Sequence, residues 1–376
     1  MMGDAVTPPT RHLGLLLGIA LLTLAGCSPG AGAATTSLRP ASGAQPAGSV
    51  AAASAPAAVT PSAPATSYTW TQLSPTTAPL PRDRAEVGYD SATGTVVVSG
   101  GEAGCGPLPL VYDDTWTWNG SAWTQVSTNA PPVYGQAAAY DGATQTFDIL
   151  WFPGCAGSPE MNEWDGESWT GSETSASEPE PDTDGVMAYD PSTQSLLLWS
   201  PTFGSNPGGT ATTPVDQSST WSWDGSSWTR LTPSTQPPAS IGDVQLVYDQ
   251  ASNQMLLFGE ASESTWAWDG TDWSELSATG PTARQGANMV YDAALSEVLL
   301  LGGDASGGFD GLGTPLDDLW AWNGSAWQQL HPATSPPARF YAQMAYDDAT
   351  GEVVLFGGSV NSVADLADTW VYGPPS

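Results

Sequence analysis

The stretch YDSATGTVVVSGG at residues 89–101 decides the fold, because a close copy, YDDATGEVVLFGG, returns at residues 346–358. In each copy the Asp opens a tight turn in which its side chain can bond backbone amides, and a Gly follows where a left-handed conformation is needed. The turn leads into a run of aliphatic residues that is typical of a buried strand. Each copy therefore predicts two antiparallel strands joined by a turn.

The Tyr-Asp pair that opens this stretch recurs in register along the whole chain. The pairs begin at Tyr89, Tyr140, Tyr189, Tyr248, Tyr291 and Tyr346, at intervals of 51, 49, 59, 43 and 55 residues. In most repeats an alternating aromatic strand and an Asn-Gly or Asp-Gly turn follow, as in Trp116, Trp118 and Asn119-Gly120, and mark a second hairpin. Six units of four strands predict an all-β chain folded as a six-bladed β-propeller of four-stranded blades.

The last repeat reaches Trp370 and Tyr372 without a fourth strand after them. A matching strand stands at the other end of the repeats, since YTWTQL at 68–73 is similar to AWTQV at 122–126. We therefore expect the N-terminal strand to pair into the last blade and close the ring, which removes an open sheet edge.

The composition excludes some classes of function. Seven arginines, no lysine and 39 acidic residues give a formal net charge of -32. This balance argues against a nucleic-acid binder, whose affinity depends on neutralising phosphates, and against a polybasic membrane-surface protein. The 18 Trp, 42 Gly and 33 Pro fit an all-β chain with many turns.

The first residues are typical of an export signal. Arg11 is followed by an apolar run over 13–24 and then by Leu24-Ala25-Gly26-Cys27, which resembles the lipobox of bacterial lipoproteins. The resemblance implies cleavage before Cys27, acylation of that residue, and attachment to the cell membrane through the lipid alone. An ordinary signal peptide cut nearby is the alternative. We expect a signal peptide over 1–26, a disordered Ala/Pro/Ser/Thr-rich tether over 27–67, and the propeller over 68–376.

The propeller repeats resemble kelch repeats and, more broadly, galactose-oxidase-like propellers. Glycine pairs close the second strand at Gly100-Gly101, Gly302-Gly303 and Gly357-Gly358. A proline followed within three residues by an arginine precedes the first strand in three repeats, where the arginines are Arg82, Arg284 and Arg339. Repeats 2 and 3 lack both features. The resemblance implies the fold and says little about function.

Strand direction sends the loops after the second and fourth strands of every blade to one face of the propeller. That face carries the long insertions and is the expected binding face. It also carries Arg82, Arg284 and Arg339, which could hold a carboxylate or sulfate near the channel. The alternative is that each arginine pairs with an acidic neighbour and ties loops together.

Acidic residues of the same loops, among them Asp304, Asp310, Asp317 and Asp318, could hold Ca²⁺, which takes oxygen ligands. Solvated acids are the alternative, and no other cofactor or metal is expected. Cys105 and Cys155 lie in corresponding loops of adjacent repeats, and in an exported chain they predict a disulfide, with free thiols as the alternative. The tryptophans are expected to pack between blades, with stacking on sugars as the alternative use of any exposed ring.

The function predicted is a binding or interaction module for a protein or glycan ligand at the cell envelope. The alternatives are a carbohydrate-active enzyme that uses two loop carboxylates and a purely structural envelope protein. His331 is the one histidine beyond the signal. The chain therefore cannot assemble the copper site of galactose oxidase, with its two histidines, and no nucleophile elbow is present.

Overall fold

The computed structural model describes residues 67–104, 109–132, 136–151, 159–173, 179, 185–202, 217–239, 243–259, 264–276, 279–305, 313–361 and 364–375. These residues form six four-stranded antiparallel sheets and no α-helix. In this part of the chain no helix is long and apolar enough to cross a membrane. The predicted all-β, six-bladed propeller is confirmed.

The blades are described from the innermost strand outward. Blade 1 contains β2 (Glu86–Asp90), β3 (Thr95–Ser99), β6 (Thr115–Trp118) and β7 (Trp123–Ser127). Blade 2 contains β8 (Ala137–Asp141), β9 (Thr146–Trp151), β10 (Glu160–Trp164) and β11 (Trp169–Glu173). Blade 3 contains β12 (Val186–Asp190), β13 (Ser195–Thr202), β14 (Gln217–Trp223) and β15 (Trp228–Leu231).

The other three blades repeat this order. Blade 4 contains β16 (Val244–Asp249), β17 (Gln254–Gly259), β18 (Thr265–Trp268) and β19 (Trp273–Leu276). Blade 5 contains β20 (Asn288–Asp292), β21 (Glu297–Leu301), β22 (Leu319–Trp322) and β23 (Trp327–Leu330). Blade 6 contains β24 (Gln343–Asp347), β25 (Glu352–Phe356), β28 (Thr369–Gly373) and, as its outermost strand, β1 (Thr69–Leu73).

Blade 6 confirms the predicted closure. β1 pairs antiparallel with β28 so that Trp70 lies opposite Tyr372, and the two rings are 5.1 Å apart. The innermost strands of consecutive blades are neighbours all the way round, including β24 beside β2. The ring is therefore closed by strands from the two ends of the folded part.

The Tyr-Asp pair has a separate role for each residue. Asp90 Oδ1 accepts hydrogen bonds from the amides of Ala92 and Thr93 at 2.9 and 3.2 Å, which holds the turn after the innermost strand. Tyr140, in the next blade, accepts a hydrogen bond at its hydroxyl from the Ala92 amide at 3.3 Å. The Asp thus shapes the turn of its own blade, and the Tyr reaches the turn of the preceding one.

The hydrophobic core lies in the seams between blades. In one seam Val96 and Trp123 of blade 1 pack against Val354 and Phe356 of blade 6, all of them buried. Each side of a blade contributes to a different seam, because alternate residues of a strand point to opposite faces of the sheet. This arrangement explains why the central positions of most second strands are apolar on both faces.

The strand directions separate two faces. The loop face carries the connections after the second and fourth strands, including two small ribbons: β4 (Glu102–Ala103) with β5 (Leu110–Val111), and β26 (Ser359–Asn361) with β27 (Ala364–Asp365). The hairpin face carries the short turns. Thr69 at the start of β1 lies opposite Gly373, so the chain joins the propeller at the hairpin face.

Candidate functional site

Arg82, Arg284 and Arg339, which precede the innermost strands of blades 1, 5 and 6, are buried. Their side chains form hydrogen bonds within their own blades. Arg82 donates from Nη1 and Nη2 to the two carboxylate oxygens of Asp114 at 2.6 and 3.0 Å. Its Nη1 also donates to the Gly100 carbonyl at 2.7 Å, and its Nε donates to the Leu80 carbonyl at 3.1 Å. Such a bidentate pair fixes both position and orientation.

Arg284 and Arg339 repeat this arrangement. They form bidentate pairs with Asp318 and Asp368, and both guanidinium groups are almost completely buried. All three arginines therefore hold the loop before the third strand against the start of the first strand. This is the alternative that the sequence left open, and it leaves these side chains little surface for a ligand.

The paired aspartates are also bonded to the third strand. Asp114 accepts the Trp116 indole N–H at 2.8 Å, and Asp368 accepts that of Trp370 at 2.6 Å. Burial alone would raise the pKa of these carboxyls, but the hydrogen bonds from arginine and tryptophan hold the pKa of both below its ordinary value. Both are therefore charged anchors of the fold at neutral pH.

The glycine pairs explain why arginine and glycine occur together. Gly358 donates its amide to the Arg82 carbonyl, and Gly303 donates to that of Arg339, each at 2.9 Å. A Cβ on Gly357 would lie only 2.6 Å from the Arg82 carbonyl oxygen. Each of these glycine pairs thus lets its own backbone approach the arginine backbone of the next blade closely. These contacts join blade 5 to blade 6 and blade 6 to blade 1.

A second repeated position, five residues before each Tyr of the Tyr-Asp pairs, carries unlike side chains. In the described part it holds Arg84 in blade 1, Asp243 in blade 4, Gly286 in blade 5 and Tyr341 in blade 6. It lies just before the innermost strand, at the mouth of the central channel on the loop face. Arg84, Gly286 and Tyr341 have φ of 51°, 61° and 52°, so the backbone turns in the same way in these three blades.

These side chains meet although they come from different blades. The Arg84 guanidinium carbon lies 4.1 Å from the centre of the Tyr341 ring, and Nη1 donates to Glu102 Oε1 at 2.6 Å. The Tyr341 ring lies over Gly286, where a Cβ would be 3.0 Å from it. The Gly286 amide donates to Asp243 Oδ2 at 2.9 Å. We call Arg84, Glu102, Asp243 and Tyr341 the mouth cluster.

Electrostatics keep the mouth cluster polar and ordered. Burial raises the pKa of the Tyr341 phenol, and the neighbouring Asp243 raises it further, so the phenol stays protonated. Burial by itself would lower the pKa of Arg84, but Tyr341, Asp83 and Glu102 outweigh it and the guanidinium remains charged. About a third of the Arg84 side chain is exposed, in contrast to the three buried arginines.

Asp83 adds a titratable carboxyl beside the mouth cluster. Burial raises its pKa to about 7; Arg84 lowers it in part, and Asp365 and Glu102 raise it. Asp365 accepts the amide of Gly104 at 2.8 Å, which links the ribbons of blades 6 and 1. Among the described residues the site therefore holds one cation, several acidic side chains and, in Asp83, one carboxyl whose pKa is raised to about 7.

Of the predicted acidic ligands, Asp304 is buried and accepts the Thr314 amide at 2.8 Å. Asp318 is paired with Arg284, and Asp317 is exposed. The described residues contain no group of three or more His, Cys, Asp and Glu placed to hold a metal ion. Asp310, Cys27, Cys105 and Cys155 lie outside the described residues.

All 18 tryptophans lie in the described part, and all of them are buried or half-buried. Only Trp151, Trp169 and Trp320 are partly exposed. The rings fill the seams between blades. As a set, the tryptophans therefore pack between blades, as expected from the sequence, and do not form a surface for stacking on sugars.

Sequence reasoning singled out the repeated arginines and missed Arg84, Asp243 and Tyr341. A signal was present: these residues stand at one fixed distance from the Tyr-Asp pairs and differ from blade to blade. A residue repeated in many blades serves what the blades share, whereas a variable residue at a shared position is free to serve a site.

The chain is thus a six-bladed β-propeller, and the mouth cluster places a group of polar side chains at one end of its channel. The solved structure of YjhT is similar to this chain in fold, with a TM-score of 0.57 and 14% identity over 78% of this chain and 95% of that chain. In all, 261 chains of solved structures match, whereas no protein-family model and no curated protein does. At this identity the likeness concerns the fold.

Proposed function

We propose that this chain is an exported, lipid-anchored β-propeller that acts as a binding or interaction module at the cell surface, with the mouth cluster as its binding site. The observation that supports this is the variable position itself. Arg84, Asp243 and Tyr341 occupy one repeated place, come from three blades and are joined at the channel mouth. Variable groups on a rigid scaffold are typical of recognition sites.

The point of attachment fits this proposal. A lipid on Cys27 and the tether over 27–67 would connect to Thr69, which lies at the hairpin face. The mouth cluster is on the loop face, at the opposite end of the innermost strands. The point of attachment and the mouth cluster therefore lie on opposite faces of the propeller.

The charges favour some ligands over others. The net charge of -32 and the carboxylates around Arg84 repel polyanions such as nucleic acid. A protein or glycan of the cell envelope that offers hydroxyl, amide or cationic groups is the ligand that this site suits. The membrane itself is contacted through the lipid alone.

Binding is tested with the full lipidated chain in vesicles, probed against glycan arrays and solubilised envelope fractions. We expect Arg84→Gln to weaken binding of the captured ligand by about tenfold or more, which is the scale of a central contact. Arg230→Gln is the matched control, because Arg230 is exposed on an outer strand. Equal binding by both variants would move the site elsewhere, and no ligand in any fraction would favour the purely structural alternative.

Anchoring is tested by Cys27→Ser. We expect the variant to lose incorporation of labelled palmitate and to be released from the membrane fraction. Retention in that fraction with a cut near residue 26 but no label would favour an ordinary signal peptide.

Asp83 gives the enzymatic alternative a specific basis. Burial raises the pKa of Asp83 to about 7, and Asp83 lies beside Glu102, which is ion-paired with Arg84. A carboxyl with a raised pKa is what the general acid in the hydrolysis of a glycan requires. Product analysis on envelope glycans separates the two functions. Turnover that Asp83→Asn abolishes would establish the enzyme and overturn the binding-only proposal.

A further inference from the structure

One seam of the propeller differs from the other five at a single core position. The middle residue of the second strand packs toward the next blade and is Val or Leu in five blades: Val97, Leu197, Leu256, Leu299 and Val354. All five are buried. In blade 2 the same position is Asp148, whose exposure is 0%.

Asp148 faces blade 3. Ala139, its register partner on β8, and Leu150, two residues further along β9, belong to one core cluster with Met187 and Trp223 of blade 3. Residues two apart on a strand share a face, so the carboxyl lies in the seam between blades 2 and 3. Phe147 and Ile149, on the other face of β9, pack toward blade 1.

Neither oxygen of Asp148 has a hydrogen-bond partner within the described part of the chain. Asp141, on β8, has one further unpartnered buried oxygen, and Glu163 lies directly opposite Asp148 on β10. The Thr146 hydroxyl, two residues away on β9, lowers the pKa of Asp148 in part. A buried carboxyl that has other acidic groups beside it is costly to ionise.

No cation offsets this charge among the described groups that act on Asp148. Those groups are Thr146 on its own strand, with Glu163 and Asp141 on the strands beside it. Across the seam blade 3 presents Tyr189, and its cation Arg230 lies over the Trp221 ring at 5.7 Å. Arg230 is exposed on the outermost strand, away from the innermost strands of the seam.

We propose that the contact between blades 2 and 3 is a proton-sensitive seam, closed while Asp148 carries a proton and loosened when that carboxyl ionises. A neutral carboxyl is tolerated where its five counterparts are aliphatic. A charged one has to gain water, and in this seam water enters only when the two blades separate. Burial, with Glu163 and Asp141 adding to it, raises the pKa of Asp148 to about 7, so the change falls near neutral pH.

The sign of the effect follows from linkage. Because the pKa is higher in the folded than in the unfolded chain, the folded state binds up to about one more proton between pH 4 and 7. The seam is therefore tightest at the acidic end of this interval. Its contribution to stability declines as the pH rises from about 4 and is lost by the time the pH has passed about 7. This inference does not depend on the ligand or on the anchor.

The test compares thermal unfolding of the full chain and three variants from about pH 5 to about pH 8.5. We expect the melting temperature of the wild type to fall over this range. Asp148→Asn should remove this part of the fall. Asp148→Val, which supplies the residue of blades 1 and 6, should remove it and also raise the melting temperature at the alkaline end. Glu163→Gln should keep the fall and move its centre to lower pH, because the neighbouring negative charge is gone.

A local measurement distinguishes the seam from a general effect of net charge. The exchange rates of the amides of β8, β9 and β12 are divided by their intrinsic rates at each pH. The resulting rates should be higher at about pH 8 than at about pH 6.5 in the wild type, and equal at both pH values in Asp148→Val. The proposal is overturned if the difference in melting temperature between wild type and Asp148→Asn is the same at both ends of the pH range. It is equally overturned if exchange in the seam is unaffected by Asp148→Val.

Discussion

The indole N–H of Trp123, on the outermost strand of blade 1, donates to the Thr369 hydroxyl of blade 6 at 2.9 Å. The same bond from a fourth-strand tryptophan to a third-strand threonine of the preceding blade, at 2.8 or 2.9 Å, joins Trp169 to Thr115, Trp273 to Thr220 and Trp327 to Thr265. A single hydroxyl thus fixes the outer edge of each of these four seams.

The other two seams lack the hydroxyl. The threonine position is Met161 in blade 2 and Leu319 in blade 5, three residues before the last tryptophan of the third strand. Within the described residues, the indole N–H groups that face them, those of Trp228 and Trp70, are buried without a partner. The unpaired N–H groups of Trp228 and Trp70 therefore follow from the replacement of threonine in the preceding blade.

A matched pair of substitutions measures this bond. Trp273→Phe removes a paired N–H and leaves the buried Thr220 hydroxyl without its donor, whereas Trp228→Phe removes an N–H that has no partner. Both rings are buried and pack on a neighbouring tryptophan at 5.5 and 5.3 Å, so the lost apolar contact is similar. We expect Trp273→Phe to cost about 1 kcal/mol more in the free energy of unfolding, measured in urea. Equal costs would show that the bond adds nothing to the seam.

The buried arginines should behave as structural anchors. Arg339→Gln leaves the Asp368 carboxylate without its bidentate partner, and we expect a loss of about 3 kcal/mol at neutral pH. The pKa of Asp368 is lowered in the folded state, so the stabilisation exists above the ordinary carboxyl pKa and is lost as the pH falls through the folded value. The difference between wild type and variant should therefore shrink below about pH 4.

Arg230→Gln is the control for this effect. Arg230 is exposed, and its substitution should change the free energy of unfolding by less than about 0.5 kcal/mol at any of these pH values. A comparable loss in both variants would mean that net charge, not the buried pair, governs stability.

Closure by the N-terminal strand gives a third prediction. Deleting residues 68–73 removes β1, exposes the edge of β28 and uncovers Trp370 and Tyr372. We expect a large fall in the melting temperature and, because an open strand edge templates further pairing, a tendency to aggregate. An unchanged melting temperature would mean that the ring is held by its seams alone.

The fold could be predicted because its determinants are local and repeated. The Tyr-Asp turn, the Asn-Gly and Asp-Gly hairpins and the aliphatic second strand each follow from neighbouring residues, and the six copies reinforce one another. The strand at 68–73 was recognisable because it matches 122–126, although its partner is at the other end of the chain. Each of these features is visible without three-dimensional information.

The site was harder to predict because its residues are neither local in sequence nor repeated from blade to blade. Arg82, Arg284 and Arg339 stood out as scarce cations. Their repetition reflects a structural role in three blades, in which each pairs with the aspartate before the third strand. The contact of Arg84 with Tyr341 depends on ring closure, which brings the first and last blades side by side, and no local pattern signals it. Asp148 occupies a position that is aliphatic in the other blades, and this difference can be read from the repeats. That its carboxyl is buried follows only from the packing of blade 3 against it.

Gly286 offers a direct test of the mouth cluster. Gly286→Ala places a methyl group 3.0 Å from the Tyr341 ring, at a φ of 61°. Gly270→Ala is the control: its φ is 96°, but an added Cβ meets nothing within 4 Å. Both variants bear a backbone strain of about 1 kcal/mol or more, and the φ of Gly270 makes it no smaller in the control. An additional loss in Gly286→Ala therefore reports displacement of Tyr341. We expect Gly286→Ala to unfold at lower urea and to bind the captured ligand less tightly, with Gly270→Ala binding as the wild type does. Equal binding by both would mean that the ligand does not use the Tyr341 ring.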